Sequence, residues 1–252
     1  MIRTIDDYIN QPLEIKNDLL SFFKIDDNLI LFDIGACEGE ESIKYSNLFP
    51  NASIYAFEPM PSNYAIAKNN LSVYKKDNVK ISQTALSDKD GFSDFYISSG
   101  APDHLKNDEN WNYGNKSSSL LEPGDATDKY YSWLKFDNKV SVKTQRISSF
   151  VIENSINYID FAHIDVQGAT LMVLKGAENF IENIKIIYTE VEAVDLYKNQ
   201  PLKQEIELFM KSKGFYLYFD KVGKITGDQF YVNKRFFSKK RNLVNVISSW
   251  FS

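Results

Sequence analysis

The sequence predicts an α/β protein, one mostly parallel sheet with helices on both faces. Three observations carry this. Short strand-like runs alternate with stretches of helical periodicity along the chain. The leading run, LILFDI (29–34), is nearly unbroken in its apolar character, as a strand covered on both faces would be. FYLYFD (215–220) and QFYVN (229–233) flank GKITGD and read as an antiparallel pair, which makes the sheet mixed.

The elements follow in order. After LILFDI, Glu40 to Leu48 has a helical pattern, and SIYAFE (53–58) is the second strand. Pro59 and Pro61 interrupt the chain before a helix over Asn63 to Tyr74. VKISQTAL (79–86) reads as a third strand, SDKDG (87–91) as a turn, and FSDFYIS (92–98) as an alternating, exposed strand. Residues 99–138 are polar with scattered aromatics, and so long a loop is expected to be a lid or binding segment. VSVKTQRI (140–147) returns to strand, followed by a short helix near Ser148 to Asn154. DFAHIDV (160–166) is a strand. Ala169, Met172, Val173, Ala177, Phe180 and Ile181 give helical spacing across Gly168 to Asn183. IKIIYTEVE (184–192) is a further strand, and Leu202, Ile206, Phe209 and Met210 mark a helix face.

The 252 residues, 43% hydrophobic, suit a single domain over 1–252 with an insertion at 99–138. A net charge of −5 offers no overall basic surface and argues against a nucleic-acid partner. The lone Cys37 cannot form an intrachain disulfide and reads as a packing residue in a turn; with no signal-like leader or spanning stretch, a cytoplasmic setting is expected. The tail 234–252 joins Lys234, Arg235, Lys239, Lys240 and Arg241 to LVNVISSWF. That pattern suits packing on the domain, a homo-oligomer contact, an anionic membrane surface or the diphosphate of a nucleotide sugar.

The functional signal begins in LFDIGACEGEES (31–42). A buried strand leaves through Asp33, Gly35 and Gly39, the place where doubly wound sheets bind ligands. The spacing is neither the dinucleotide fingerprint nor the P-loop. Glu38, Glu40 and Glu41 suit the positive end of the next helix and would repel a pyrophosphate there. A donor without phosphates, S-adenosylmethionine, fits. Glu58, 25 residues after Asp33 at the end of the second strand, is placed to accept hydrogen bonds from both ribose hydroxyls.

DIGACEGE, AFEPMPSN, TALSD and DFAHIDVQGATLMVLKGAENFI with IIYTEVE together resemble the FkbM family of S-adenosylmethionine-dependent methyltransferases, from about Leu31 to Glu192. The resemblance implies a class I methyltransferase fold, a Rossmann-like seven-stranded mixed sheet with helices on both faces. It also implies O-methylation of a sugar hydroxyl, on a nucleotide-activated sugar or a surface glycan, as in capsule or lipopolysaccharide tailoring. Carried over, Asp33, Gly35, Ala36 and Gly39 line the methionine moiety and ribose. Glu58 holds the ribose, and Thr84, Ala85 and Leu86 lie beside adenine. The family pattern Lys-Ile-Asp-Val-Glu-Gly-Ala-Glu is here His163-Ile164-Asp165-Val166-Gln167-Gly168-Ala169-Thr170, so only the aspartate is retained among the charged positions.

A sugar hydroxyl needs a base or a metal to become a nucleophile. His163 and Asp165, two apart on a strand, share one face. Two readings stand open. Either His163 or Asp165 takes the proton, or Asp165 and Glu190, with His163, hold a magnesium or manganese ion. A structural His163 paired with Asp165 is the plainer alternative. Substrate contacts are expected from His104, Ser117, Gln167 and Glu192, with Trp111, Tyr113, Tyr130, Tyr131 and Trp133 of the insertion as stacking faces.

Overall fold

The computed structural model describes residues 4–105 and 112–237. Its strands are β1 (Ile30–Ile34), β2 (Ser53–Phe57), β3 (Val79–Ser82), β4 (Ala85–Leu86), β5 (Gly91–Ser99), β6 (Lys135–Gln145), β7 (Ile159–Ile164), β8 (Ile184–Glu192), β9 (Phe215–Asp220) and β10 (Thr226–Asn233). The helices are α1 (Ile5–Ile9), α2 (Lys16–Leu20), α3 (Glu40–Leu48), α4 (Pro61–Val73), α5 (Asp125–Tyr130), α6 (Ile147–Glu153), α7 (Thr170–Gly176) and α8 (Lys203–Ser212).

Seven strands form the main sheet in the order β3-β2-β1-β7-β8-β10-β9. The pairs from β3 to β8 are parallel, and β10 runs antiparallel between β8 and β9. This is the class I methyltransferase arrangement expected from sequence. The uninterrupted apolar strands follow from burial on both faces. Phe32, Ile34 and Phe57 pack with Ile147, Phe150, Val173, Leu174, Ile206 and Met210 of α6, α7 and α8. Leu31, Ile54, Phe161 and Ile186 point the other way, onto Leu19 of α2 and Tyr45 of α3. At the far end, Asp160 accepts from the Ile30 backbone N–H at 2.7 Å and from Lys185 Nζ at 2.6 Å, tying β1, β7 and β8 together. The chain departs from β1 to β2 on one side and reaches β7 on the other, so a crevice opens at the carboxyl ends of β1 and β7.

Three readings of the sequence change. VKISQTAL is two strands in two sheets: the chain turns after Ser82, with Thr84 N–H donating to Ser82 O at 3.0 Å, and Ala85–Leu86 join a second sheet ordered β4-β6-β5. The helix over 168–183 ends at Gly176 and continues as a 3₁₀ turn from Glu178, whose φ is +51°. A Cβ at Gly176 would stand 1.9 Å from Ser87 O, so the missing side chain lets α7 lie against the segment after β4. The insertion is largely built rather than open loop. It holds 3₁₀ turns at Asp103–Leu105 and Gly114–Ser117, helix α5, and the start of β6 paired with β5.

The short helices α1 and α2 have no counterpart in the sequence reading. Phe237 packs edge-on against Phe22 and Phe23 of the N-terminal segment. Lys239, Lys240, Arg241 and LVNVISSWF lie outside the described residues. Among the described residues no helix is long and apolar enough to cross a membrane.

Candidate active site

The turn after β1 is folded onto the ends of its two neighbours. Gly35 and Ala36 both donate backbone N–H to Phe57 O at 3.0 Å, at the end of β2. Gly35 has φ +91°, and a Cβ there would lie 1.8 Å from Asp165 O, beyond β7. Its lack of a side chain therefore serves contact within the protein, and the same backbone also lines two clefts. Gly39, at φ +84°, starts α3 with only ordinary contacts to Ala67. Cys37 is held between Asn63 Nδ2 and Lys116 Nζ at 3.5 and 3.7 Å. Burial pushes its thiol up, consistent with packing rather than nucleophilic work.

Three clefts meet at Asp165 and Lys116, which line all of them, and the first two also border this turn. The first, about 540 Å³, has Glu58 on one wall and Thr84, Ala85, Leu86 and Phe95 on the other. The two Glu58 oxygens accept from the backbone N–H groups of Cys37 (3.0 Å) and Met60 (2.8 Å). Burial raises the Glu58 carboxyl to about 8 in spite of those bonds. Asn115 also lines this cleft. Its Nδ2 bonds Glu38 and Asn63, while its Oδ1 is buried without a partner among the described residues.

The second cleft, about 820 Å³, is walled by Asp33, Ala36, Glu40, Glu41, His163, Tyr8 and Tyr113. Asp33 is buried and receives Ser42 Oγ at 2.5 Å and His163 Nδ1 at 3.3 Å. The His163 ring stacks on Tyr188, with centroids 5.3 Å apart, and meets the edge of Tyr45. Burial opposes a charge on His163. The bond to Asp33 and the negative charges of Asp33, Glu41 and Asp165 prevail and raise it to about 9. At neutral pH the ring is therefore a cation. Lys116 forms an ion pair with Glu40, which also accepts from Glu38 N–H at 2.8 Å.

The third cleft, about 730 Å³, is acidic and aromatic: Glu190 and Glu192 from β8, Gln167, Ser117, Tyr131, Trp133, Tyr197 and Thr226. Gln167 Nε2 bridges two carboxylates, 2.6 Å from Asp165 Oδ1 and 2.8 Å from Glu190 Oε2. Thr226 Oγ1 holds the other Glu190 oxygen at 3.0 Å. Burial and the charges of Asp165 and Glu192 push Glu190 well up. Burial and Asp165 raise Glu192 to about 7.

The expected residues are thus divided. Glu58, Thr84, Ala85 and Leu86 share one cleft, Asp33, Ala36 and His163 the next, and Ser117, Glu190 and Glu192 the third; Gly35 lines the first two, Gln167 the first and third, and Asp165 all three. Gly39 stands outside their walls. The metal set Asp165, Glu190 and His163 does not assemble: the Gln167 amide stands between the two carboxylates, and His163 is turned to Asp33. Among the described residues no group of three or more His, Cys, Asp and Glu could hold a metal ion. His163 bonds Asp33, a strand neighbour in register, where the plainer sequence reading had paired it with Asp165. The side chain of His104 and all of Trp111 lie outside the described residues. Tyr131 and Trp133 reach the third cleft and Tyr113 the second; Tyr130 lines none of the three. Asn63 closes the AFEPMPSN segment without having been given a role, and Asn115, Tyr197 and Thr226 were not expected from sequence, because isolated polar residues and a tyrosine outside any motif give no pattern.

Comparison with known proteins agrees with this geometry. The methyltransferase FkbM domain model matches residues 33–217. The 2-O-methyltransferase NoeI of Sinorhizobium fredii is 30% identical over 211 residues, 82% of each chain. Methyltransferase sdnD of Sordaria araneosa is 27% identical over 201 residues, 75% of this chain and 74% of that one. Among solved structures, a methyltransferase FkbM from Methylobacillus flagellatus superposes with TM-score 0.50 at 12% identity, over 90% of this chain and 50% of that one, a likeness of fold. The chain belongs to the FkbM family of S-adenosylmethionine-dependent methyltransferases.

Proposed function

We propose that the protein is an O-methyltransferase acting on a sugar hydroxyl. One observation carries the reading: Asp165 stands where a cleft suited to a nucleoside meets an acidic, aromatic cleft suited to a sugar ring. The residues fit the methyl donor. Glu58 is a buried carboxylate already oriented by two backbone N–H groups, and Ala85, Leu86 and Phe95 offer an apolar slot for a flat base. The unpartnered Asn115 Oδ1 in the same cleft awaits a donor group. When bound, S-adenosylmethionine supplies a methyl group activated by its sulfonium.

The remaining work falls to the chain. Tyr131, Trp133 and Tyr197 present faces and edges to a sugar ring. Asp165 takes the hydroxyl proton, oriented by Gln167. Glu190 and Glu192 line the same cleft, and the Gln167 amide, donating to both Asp165 and Glu190, holds the Asp165 carboxylate in place. His163, as a cation bonded to Asp33, fixes the turn instead of accepting a proton. The Gln167 amide occupies the position between carboxylates that a divalent ion would need. Of the two acceptor forms, a sugar within a glycan suits the cleft, whose Tyr131, Trp133 and Tyr197 offer aromatic surface to bare sugar rings. The 2-O-methyl transfer named for the Sinorhizobium relative supports a hydroxyl acceptor.

The test is incubation with S-adenosylmethionine and panels of free glycans and nucleotide sugars, read by mass spectrometry. One added methyl on a glycan is the expected result. Binding of the donor with no methylated sugar in either panel removes the proposal.

A further inference from the structure

The methyl donor of the proposed reaction ends in an amino acid, and its carboxylate needs hydrogen-bond donors, best supplied by a cationic side chain in an acidic cleft. The second cleft, beside the Glu58 wall, is lined by four carboxylates, Asp33, Glu40, Glu41 and Asp165. These suit the sulfonium and the ammonium and oppose the carboxylate. Two cationic side chains line that cleft, His163 and Lys116. His163 is bonded to Asp33 and packed against Tyr188 and Tyr45, so its position is set by the sheet. Lys116 enters from the insertion on a flexible stem. It lines all three clefts, and its partner Glu40 also accepts a hydrogen bond from Glu38 N–H.

We propose that Lys116 receives the carboxylate of the donor's methionine moiety, exchanging part of its contact with Glu40 for that group. This rests on the donor reading of the first two clefts and extends it: a residue of the insertion, not of the Gly35 turn, distinguishes the amino-acid end of the donor. The segment carrying Lys116 also forms part of the acceptor wall. Ser117 O accepts from Tyr197 OH at 2.8 Å, and Ser119 Oγ donates to Gln167 O at 2.6 Å.

Titration calorimetry with two ligands tests this. S-adenosylhomocysteine carries the carboxylate; methylthioadenosine keeps the nucleoside and lacks the amino acid. In Lys116→Met, affinity for S-adenosylhomocysteine should fall by roughly tenfold or more, with methylthioadenosine changed by less than about twofold. Lys116→Arg, which keeps the charge, should restore most of the loss. Equal losses for both ligands would show that Lys116 only holds the cleft's shape, and no loss for either would show that another group meets the carboxylate; each overturns the proposal. Failure of both ligands to bind the unaltered protein would instead overturn the donor reading beneath it.

Discussion

His163 Nδ1 and Asp33 Oδ1 lie 3.3 Å apart across neighbouring parallel strands, at positions in direct register. A cation on β7 is thereby joined to the carboxylate that ends β1, the strand from which the donor turn departs. Because the folded value of about 9 exceeds the usual 6.5, this pair stabilises the fold fully below pH 6.5, and the contribution is lost as pH rises toward 9. Thermal unfolding of the wild type and His163→Gln from pH 6 to 10 should show a gap that narrows over that interval. Its ceiling is about 3 kcal/mol from the size of the shift. A gap independent of pH would mean that the ring acts by packing alone.

Glu58 makes the opposite demand on its ligand. Raised to about 8 by burial, it is largely protonated at neutral pH, yet it must be ionised to accept from two ribose hydroxyls. Donor binding should release protons near pH 7, and affinity should rise with pH up to about 8. Calorimetry in buffers of different ionisation enthalpy measures the release directly.

Asp165→Asn keeps an oxygen for the Gln167 amide and removes the capacity to take a proton. Turnover should fall by roughly 10²–10⁴-fold, the usual range for a general base. Affinity for S-adenosylhomocysteine should stay within a few fold. A variant with near-normal turnover would transfer the base role to Glu190 or Glu192.

Gly35 and Gly39 should respond very differently to alanine. At Gly35 the added Cβ meets Asp165 O at 1.8 Å in a left-handed conformation, and the cost should exceed about 3 kcal/mol. At Gly39 the neighbours stand 3.5 Å away, leaving chiefly the conformational cost of about 1–2 kcal/mol. Urea unfolding of both variants separates the two.

Gln167→Glu would place a third carboxylate beside Asp165 and Glu190. The variant should be less stable than wild type at pH 8 and should regain stability with millimolar Mn²⁺, whereas the wild-type melting temperature should not move. A wild-type rise with Mn²⁺ would return a metal ion to the site.

The sheet was legible in the sequence because burial on both faces writes itself as unbroken apolar runs such as LILFDI, and α3 matches its expected span, Glu40 to Leu48. The turn after β1 and the acidic residue after β2 were legible because Asp33, Gly35 and Glu58 fall at fixed points of that pattern. Other features were not. The break within VKISQTAL is set by a turn at Ser82 to Thr84 that leaves the apolar pattern intact. The partner of His163 lies 130 positions away and depends on strand register. The run Lys116 to Ser119 resembles a family segment near the acceptor, but Asn115 beside it sits in a polar stretch whose composition does not say which wall it covers.

The tear between β3 and β4 has a consequence for how this enzyme tolerates change. Thr84, Ala85 and Leu86, beside the expected base, belong to the chain just as it crosses from the large sheet to the small one. The small sheet also carries the insertion between its strands β5 and β6. Alterations that tilt this accessory layer, made far from any cleft, should therefore reach the walls of the first and third clefts together. Variation in the insertion that retunes the acceptor should leave its trace in donor affinity as well.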